Sequence, residues 1–331
     1  MLGTRLRILI VLTAALGCLG ALASPAEAAT SSQLLAKYQP VTALDPLEQF
    51  APTTVDTFVD DSTLQQETAP GVWSVVDPSP TLAGLPTTGG IYRLDQTACS
   101  PAGGPDAVAC YRNAWAAHGA PSVVYGRAAY TPTHVVLQYW YFYYDDLYSY
   151  DYPPDPLFWQ AHEGDWEVVT VVLSRRGHRP QYVAYSQHCT GERRSWSNLD
   201  RVGTHPVDHV AIGSHANLLD GGSHAVATQC IPAAALAILQ ANGLPAPVDR
   251  SFASGQTLGP AAIDGLTPTS VRPVNRANAP WVGFTGTWGE DQVFHAPPPI
   301  GTVTFGTSPA SPANTALWKT PLAVIGTWPV G

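Results

Sequence analysis

The stretch that decides the fold is THVVLQYWYFYY, residues 133–144. It is rich in β-branched and aromatic residues, which favour extended strands. The other predicted strands, bounded by Gly, Pro, Asp or Asn, are residues 122–129, 168–174, 181–187, 207–213 and 281–288. Helical spacing is confined to residues 105–118 and 231–242. Strands that outnumber helices without β–α–β alternation predict an all-β fold, a β-sandwich core with a few inserted short helices.

The first residues have the pattern of an export signal. Arg5 and Arg7 precede an apolar stretch over residues 8–23, and small residues follow at Ala26 and Ala28. We therefore predict a signal peptide over residues 1–28 and a secreted protein. Residues 29–331 would form a single β-sandwich domain with an extended N-terminal arm over residues 29–95. No later stretch is apolar for the roughly 20 residues that a membrane helix needs.

The net charge of the chain restricts the classes of molecule that it can bind. The formal net charge is -9, and Lys37 and Lys319 are the only lysines. An acidic chain of this kind lacks the basic surface that binds phosphate backbones, so nucleic acid is excluded as a partner. We expect a monomer.

Four cysteines remain once Cys18 leaves with the signal, and four cysteines allow three pairings. We favour Cys99–Cys110 with Cys189–Cys230, because the first two are close in sequence. A four-cysteine zinc site is the rival interpretation, but no CxxC spacing supports it.

The segment HEGDWE, residues 162–167, is the strongest candidate for a functional site. In an extended strand Asp165 and Glu167 project to one face and Trp166 to the other. Gly164 lets the chain bend, so His162 can join the two carboxylates at the mouth of the strand. Carboxylates with one imidazole suit Ca²⁺, Mg²⁺ or Mn²⁺. The alternative is that the carboxylates cap a turn and pair with arginines.

Other residues could complete this site. Asp145 ends one face of the aromatic strand and is a candidate fourth metal ligand. His188 and His215 each end a predicted strand, which makes them candidate acid or base groups if those strands are neighbours. Exposed aromatic rings beside carboxylates suit stacking on sugars or contact with a lipid interface, although they also suit ordinary packing. The candidate ligand-binding aromatics are Tyr143, Tyr148 and Trp159.

Several enzyme classes lack their signatures. The zincin pattern needs a second histidine where Trp166 stands. Ser214 lacks the second glycine of a nucleophile elbow. Three hypotheses remain open: a cation-binding protein that recognises glycan or lipid headgroups and is possibly membrane-active, a metal-assisted phosphodiesterase or glycosidase, and a structural cell-surface domain.

Three ordered motifs carry a family resemblance. HEGDWE at 162–167, YSQH at 185–188 and HPVDHVAIGSHA at 205–216 resemble the vacuolar protein sorting-associated protein sixty-two family. LLAKYQPV at 34–41 and FTGTWG at 284–289 are similar to that family too. This resemblance covers most of the chain after the predicted signal.

A more distant similarity links the chain to the necrosis- and ethylene-inducing-peptide-like proteins. That family has a β-sandwich and a GHRHDWE heptapeptide after a WYF-x-x-D strand, and its toxins bind glycosylated sphingolipid headgroups. The resemblance implies cation ligands at Asp145, His162, Asp165 and Glu167, with His188 near the site. Glu163 and Gly164 stand where the family has Arg and a second His. The resemblance therefore implies a cation site in this chain but does not imply the toxin activity.

Overall fold

A computed structural model describes residues 25–101, 105–119, 122–149, 159–241, 243, 245–252, 255–295 and 302–331. Its strands, numbered in chain order, are β1 (Val41–Leu44), β2 (Ser62–Ala69), β3 (Val72–Asp77), β4 (Tyr92–Gln96), β5 (Val123–Tyr130), β6 (His134–Ser149), β7 (Trp159–Ser174), β8 (Pro180–Gln187), β9 (Thr190–Ser195), β10 (Arg201–Val202), β11 (His205–Val210), β12 (Asn217–Leu218), β13 (Gly222–Ala225), β14 (Val248–Ser251), β15 (Thr257–Gly259), β16 (Thr267–Pro268), β17 (Ser270–Pro273), β18 (Gln292–His295) and β19 (Thr302–Gly306).

The helices are short. They are α1 (Pro25–Lys37), α2 (Val55–Asp60), α3 (Pro105–Ala117), α4 (Ala233–Ala241), α5 (Ala316–Lys319) and α6 (Pro321–Ile325), with 3₁₀ turns at Leu82–Gly84, Trp196–Asn198, Thr228–Cys230, Pro280–Gly283 and Pro312–Asn314. The predicted all-β class with inserted short helices is confirmed. Within the described residues, no helix combines the length and the apolar character needed to cross a bilayer.

The central sheet has the strand order β17-β5-β6-β7-β8-β9. The aromatic run of residues 133–144 lies in β6, which pairs antiparallel with β7 along nearly its whole length. Trp140 and Phe142 face one side of this sheet, where they contact Trp166 of β7. Tyr139, Tyr141 and Tyr143 alternate with them and are fully buried on the other side. Both faces of β6 are therefore core, because a layer covers each side of the sheet.

A second sheet covers the tyrosine face. It contains the parallel pair β1 and β11, with β15 beyond β1. The Tyr185 hydroxyl donates to the carbonyl of Val207 over 2.7 Å, and the Thr42 hydroxyl donates to that of Tyr141 over 3.3 Å. Tyr141 and Tyr185 thus pack their rings between the sheets and form hydrogen bonds to the opposing strands through their hydroxyls. This pair of layers is the sandwich that the sequence predicts.

The opposite face of the central sheet is covered by segments that are not strands. Trp281, Phe284 and Trp288 pack there on each other and on Phe142 and Trp166. The prediction of a closing strand over residues 281–288 is wrong. Pro280 begins a 3₁₀ turn instead, since a proline lacks the N–H that a strand ladder uses.

The N-terminal part contributes more than a covering arm. Strand β1 pairs on both sides inside the second sheet, while β2, β3 and β4 form a separate three-stranded sheet. The domain boundaries, with an arm over residues 29–95, stay a prediction. The predicted signal peptide lies mostly outside the described residues, and its cleavage position after Ala28 falls within α1.

Both predicted disulfides are confirmed. Cys99 pairs with Cys110, and Cys189 pairs with Cys230. The first ties β4 to α3. The second fixes the chain immediately after His188.

Candidate metal centre

Residues 162–167 lie inside strand β7, so the expectation that they stand at a strand mouth is wrong. Gly164 has a φ of 58°, a left-handed conformation that favours glycine. This conformation interrupts the alternation of side chains along the strand and turns Glu163 towards Tyr111. The Tyr111 hydroxyl donates to the Glu163 carboxylate over 2.9 Å. The same conformation turns His162 to the side that also holds Asp165. A single glycine therefore gathers residues from both halves of the strand.

A late segment of the chain holds this turn in place. We call residues 288–292 and 306–308 the clasp. Strand β8 pairs with β7 only from Val169 onward, and the clasp lies along the earlier part of β7. The Glu163 amide donates to the carbonyl of Glu290 over 3.3 Å, and the Ser308 hydroxyl lies 3.0 Å from the Glu163 carbonyl. An ideal Cβ on Gly164 would overlap the carbonyl oxygen of Trp288.

Three side chains converge closely enough to share one ion. Ligand atoms of Asp146, His162 and Asp165 all lie within 4.8 Å of one another. The Nε2 atom of His162 is 3.4 Å from a carboxylate oxygen of Asp146. The Nδ1 atom is 2.8 Å from the carbonyl of Gly164 and donates to it, so Nε2 is the atom that can face a metal. Burial lowers the pKa of His162, but Asp146 and Asp165 outweigh it and raise the pKa to about 9, so a bound cation would displace the Nε2 proton. The arrangement is a candidate cation site.

His215 supports the site without belonging to the triad. It is fully buried and stacks on Tyr143 with ring centroids 3.9 Å apart. One ring nitrogen lies 3.2 Å from Asp165 and the other 3.5 Å from Glu48. Burial lowers the pKa of His215, but the two carboxylates outweigh it and hold the pKa well above its usual range. A protonated ring between two carboxylates orients Asp165 and cannot also bind a cation.

Glu167 lies beside the triad. Its carboxylate accepts hydrogen bonds from the Ser186 hydroxyl and from the amide of His188. Burial, followed by the charge of Asp165, raises the pKa of Glu167 well above its usual range. A nearby cation would offset this cost by favouring the ionised carboxylate.

Asp145 is a buried carboxylate that no hydrogen bond from the described residues stabilises. It is 0% exposed, and neither carboxylate oxygen has a hydrogen-bond partner among the described residues. Burial raises its pKa well above its usual range. The close triad contains Asp146 in the place that the sequence predicts for Asp145. A ligand role for Asp145 stays a prediction, and its unpaired oxygens fit a cation nearby.

His188 forms a second ion pair next to Glu167. Its Nε2 atom is 2.9 Å from Asp249, whose other oxygen accepts from the Ser214 hydroxyl over 2.6 Å. His188 and His215 both have positive φ, at 55° and 50°. Such backbone is uncommon outside glycine and is found at functional sites. The αL turns direct both rings into the site.

The Asp249→Asn substitution is expected to change how stability depends on pH. Burial lowers the pKa of His188, but the hydrogen bond and charge of Asp249 outweigh it and raise the pKa to about 9. The pair therefore stabilises the fold fully below the ordinary histidine pKa, and this contribution is lost as pH rises towards 9. Urea unfolding should show the variant weaker by roughly 2 kcal/mol at pH 6 and nearly equal to wild type above pH 9. A stability difference that does not vary with pH would contradict this assignment.

The candidate ligand-binding aromatics differ from expectation in their exposure. Tyr143 is 0% exposed and Tyr148 is 8% exposed, with its hydroxyl donating to the carbonyl of Val248 over 2.6 Å. Neither ring offers an open face, because Tyr143 stacks on His215 and Tyr148 is buried with its hydroxyl bonded to β14. The side chain of Trp159 lies outside the described residues. Ligand binding by these residues stays a prediction.

Glu48, Asp146 and Asp249 belong to the site and were not identified from the sequence. Asp146 directly follows Asp145, and the alternation rule assigned it to the wrong face. Glu48 precedes Phe50 in the early stretch that resembles a known family, which was its only signal. Asp249 stands in a short strand with no motif around it.

Comparisons with known proteins give a fold resemblance at low identity. No protein-family model matches the chain, and no curated protein does. The family resemblance to vacuolar protein sorting-associated protein sixty-two therefore stays a prediction. Solved structures that the chain resembles are necrosis- and ethylene-inducing proteins and related toxin folds.

Three of these structures give the extent of the similarity. Necrosis and Ethylene inducing Protein 2 from the causal agent of cocoa's Witches Broom disease is 20% identical with a TM-score of 0.31, over 56% of this chain and 67% of that one. A structure described as a toxin fold as basis for microbial attack and plant defense is 14% identical with a TM-score of 0.33, over 60% of this chain and 71% of that one. NLPPya in complex with mannosamine is 15% identical with a TM-score of 0.29, over 56% and 66%.

Proposed function

We propose that this chain is a secreted β-sandwich protein that binds a divalent cation and uses it to recognise a glycan or a lipid headgroup. The observation that carries the proposal is the triad of Asp146, His162 and Asp165, with the His162 tautomer fixed by Gly164. Hard oxygen ligands with one imidazole favour Ca²⁺, Mg²⁺ or Mn²⁺.

Charge supports a cation at this position. The buried carboxylates around the triad outnumber the imidazoles two to one; they are Glu48, Asp145, Asp146, Asp165, Glu167 and Asp249, against His162, His188 and His215. Even with every imidazole protonated, the cluster keeps excess negative charge in a region of low dielectric. Buried carboxylates without compensation are costly unless they are protonated or bind a metal.

The partial exposure of the triad side chains supports the binding of a ligand through the cation. The side chains of Asp146, His162 and Asp165 are 9%, 11% and 10% exposed. The triad side chains thus keep some contact with solvent, whereas Asp145 and His215 are fully buried. Sugar and headgroup hydroxyls are hard oxygen ligands of the kind that Ca²⁺ prefers.

Calorimetric titration with Ca²⁺ and Mn²⁺ tests the cation. We expect binding by the wild-type protein and roughly 100-fold weaker binding by Asp165→Asn. Asp264→Asn is the matched control, because Asp264 is an exposed acid outside the cluster. Absence of binding at millimolar ion in the wild type would refute the proposal. A glycan and headgroup panel, probed with and without EDTA, then tests recognition through the ion.

The second candidate function is a metal-assisted hydrolase, and the pair of His188 and Asp249 favours it. Both nitrogens of His215 face carboxylates and its ring is buried, so it cannot reach a substrate. The side chain of His188 is 24% exposed and is oriented by Asp249, as a general acid or base requires. Turnover of phosphodiester and glycoside substrates, lost in His188→Gln, would support it. Cation binding without any turnover would refute it.

The structural alternative makes a different prediction for the same variant. If residues 162–167 only hold a loop, Asp165→Asn lowers the melting temperature and leaves every ligand interaction unchanged.

A further inference from the structure

Strand β3 has an open edge. It is the outer strand of the sheet β3-β2-β4 and pairs only with β2 among the described residues. The opposite edge of this sheet is closed, because the Leu94 amide donates to the carbonyl of Thr287 over 3.0 Å and the Thr287 amide donates to that of Tyr92 over 3.1 Å. One row of backbone donors and acceptors is thus covered and the other is not.

The side chains of the open strand are apolar and exposed. Val72 and Val75 are each 53% exposed and Val76 is 49% exposed. Ile91, at the start of β4, is 60% exposed. A single exposed aliphatic residue is ordinary, but three in one short strand mark an interaction surface.

Within β3, charge is confined to the last residue, Asp77. Residues 72–76 read VWSVV, and the flanking residues 68–71 read TAPG, in a chain whose net charge is -9. Soluble proteins protect open edges with lysines, inward-pointing charges, prolines or β-bulges. Residues 72–76 contain no charge and no proline, and the pairing with β2 is irregular only near the two ends of the strand, at Val76 and at Thr68 of β2. An identical strand that pairs along residues 72–76 therefore meets no like charge.

The chemistry of the edge favours a protein strand over a lipid surface. Unpaired backbone groups are costly in hydrocarbon, whereas an added strand satisfies them. We propose that β3 pairs antiparallel with β3 of a second copy of this chain about a two-fold axis. The inference is independent of the cation site, and it replaces the monomer expected from the sequence.

The sequence of β3 defines one favourable register. With Ser74 opposite Ser74 of the second copy, Val72 lies opposite Val76 and Trp73 lies opposite Val75. Aromatic and β-branched cross-strand pairs are stabilising. Asp77 then faces Gly71 of the second copy, so the two Asp77 carboxylates are kept apart. Every exposed valine of the strand gains an apolar neighbour.

One strand pair is a small interface, so the dimer should be weak and concentration-dependent. Sedimentation velocity between roughly 5 and 500 µM should show a monomer–dimer equilibrium. Val75→Lys and Val76→Lys should each raise the dissociation constant at least about tenfold, since the charge meets an apolar partner. Leu47→Lys is the control, because Leu47 is an equally apolar residue, 70% exposed, in a turn.

Cross-linking tests the register. Ser74→Cys should form a disulfide-linked dimer under mild oxidation, because each residue meets its own counterpart across the axis. Val72→Cys should not, because Val72 meets Val76. A wild-type chain that stays monomeric throughout the range overturns the proposal, and so does equal cross-linking of both cysteine variants. Binding of the monomer to phosphatidylcholine vesicles, lost in Val75→Lys, would assign the strand to a lipid surface instead and would also overturn it.

Discussion

Replacing Gly164 with alanine is expected to lower the free energy of unfolding by about 3–5 kcal/mol. The alanine would have to adopt a φ of 58°, and its Cβ would overlap the carbonyl oxygen of Trp288. Both the strand and the clasp would need to move. We expect a large loss in urea denaturation and loss of cation binding, because the reversal at Gly164 aligns His162 with Asp165.

Gly177→Ala is the matched control for this prediction. Gly177 has a φ of 75°, but nothing lies within 4 Å of its ideal Cβ. Its substitution should cost only the conformational term, about 1 kcal/mol. Equal losses in the two variants would show that the contact with Trp288 contributes nothing.

Asp146→Asn is expected to weaken cation binding by roughly 100-fold, while Asp145→Asn weakens it much less. The triad contains Asp146, whose oxygen lies 3.4 Å from His162 Nε2. Asp145 is fully buried and has no hydrogen-bond partner among the described residues, so a neutral amide there would relieve an unfavourable burial. Titration with Mn²⁺ compares the two variants directly, and thermal unfolding without metal should show Asp145→Asn at least as stable as wild type.

The reverse ranking would assign the ligand role to Asp145, as the sequence pattern predicts. In that case the binding of the ion would require β6 to turn its carboxylate towards His162. Equal losses in both variants would indicate that the two aspartates bind the ion together.

The central part of the fold was predictable because its signals are local. The aromatic run of residues 133–144 predicted a strand, and the strand that pairs with it contains the HEGDWE motif. Alternation correctly placed Asp165 and Glu167 on one face, and the small sequence separation of Cys99 and Cys110 identified that disulfide. These inferences need only strand geometry and chain connectivity.

The features of the fold and of the site that were not predictable depend on contacts between segments distant in the sequence. Glu48 reaches His215 only because β1 lies beside β11 in the second sheet. Asp146 joins His162 because the two residues lie directly opposite each other in the β6–β7 ladder, a pairing that alternation within β6 alone does not reveal. Residues 281–288 were predicted as a strand, yet their aromatic rings pack on the central sheet from a segment that is not a strand. Tyr143 was expected to be exposed because nothing in its own strand reveals the layer above it.

The clasp also determines at what stage of synthesis the cation site can form. During synthesis from the N-terminus, the triad residues leave the ribosome well before residues 288–308, which hold the turn at Gly164. The longest of these contacts joins Glu163 to Ser308, 145 positions apart, and such distant pairings form slowly. A nascent chain would therefore carry its carboxylates without a finished cation site. Competence to bind would arise only after residues 288–308 have been made and have packed against β7.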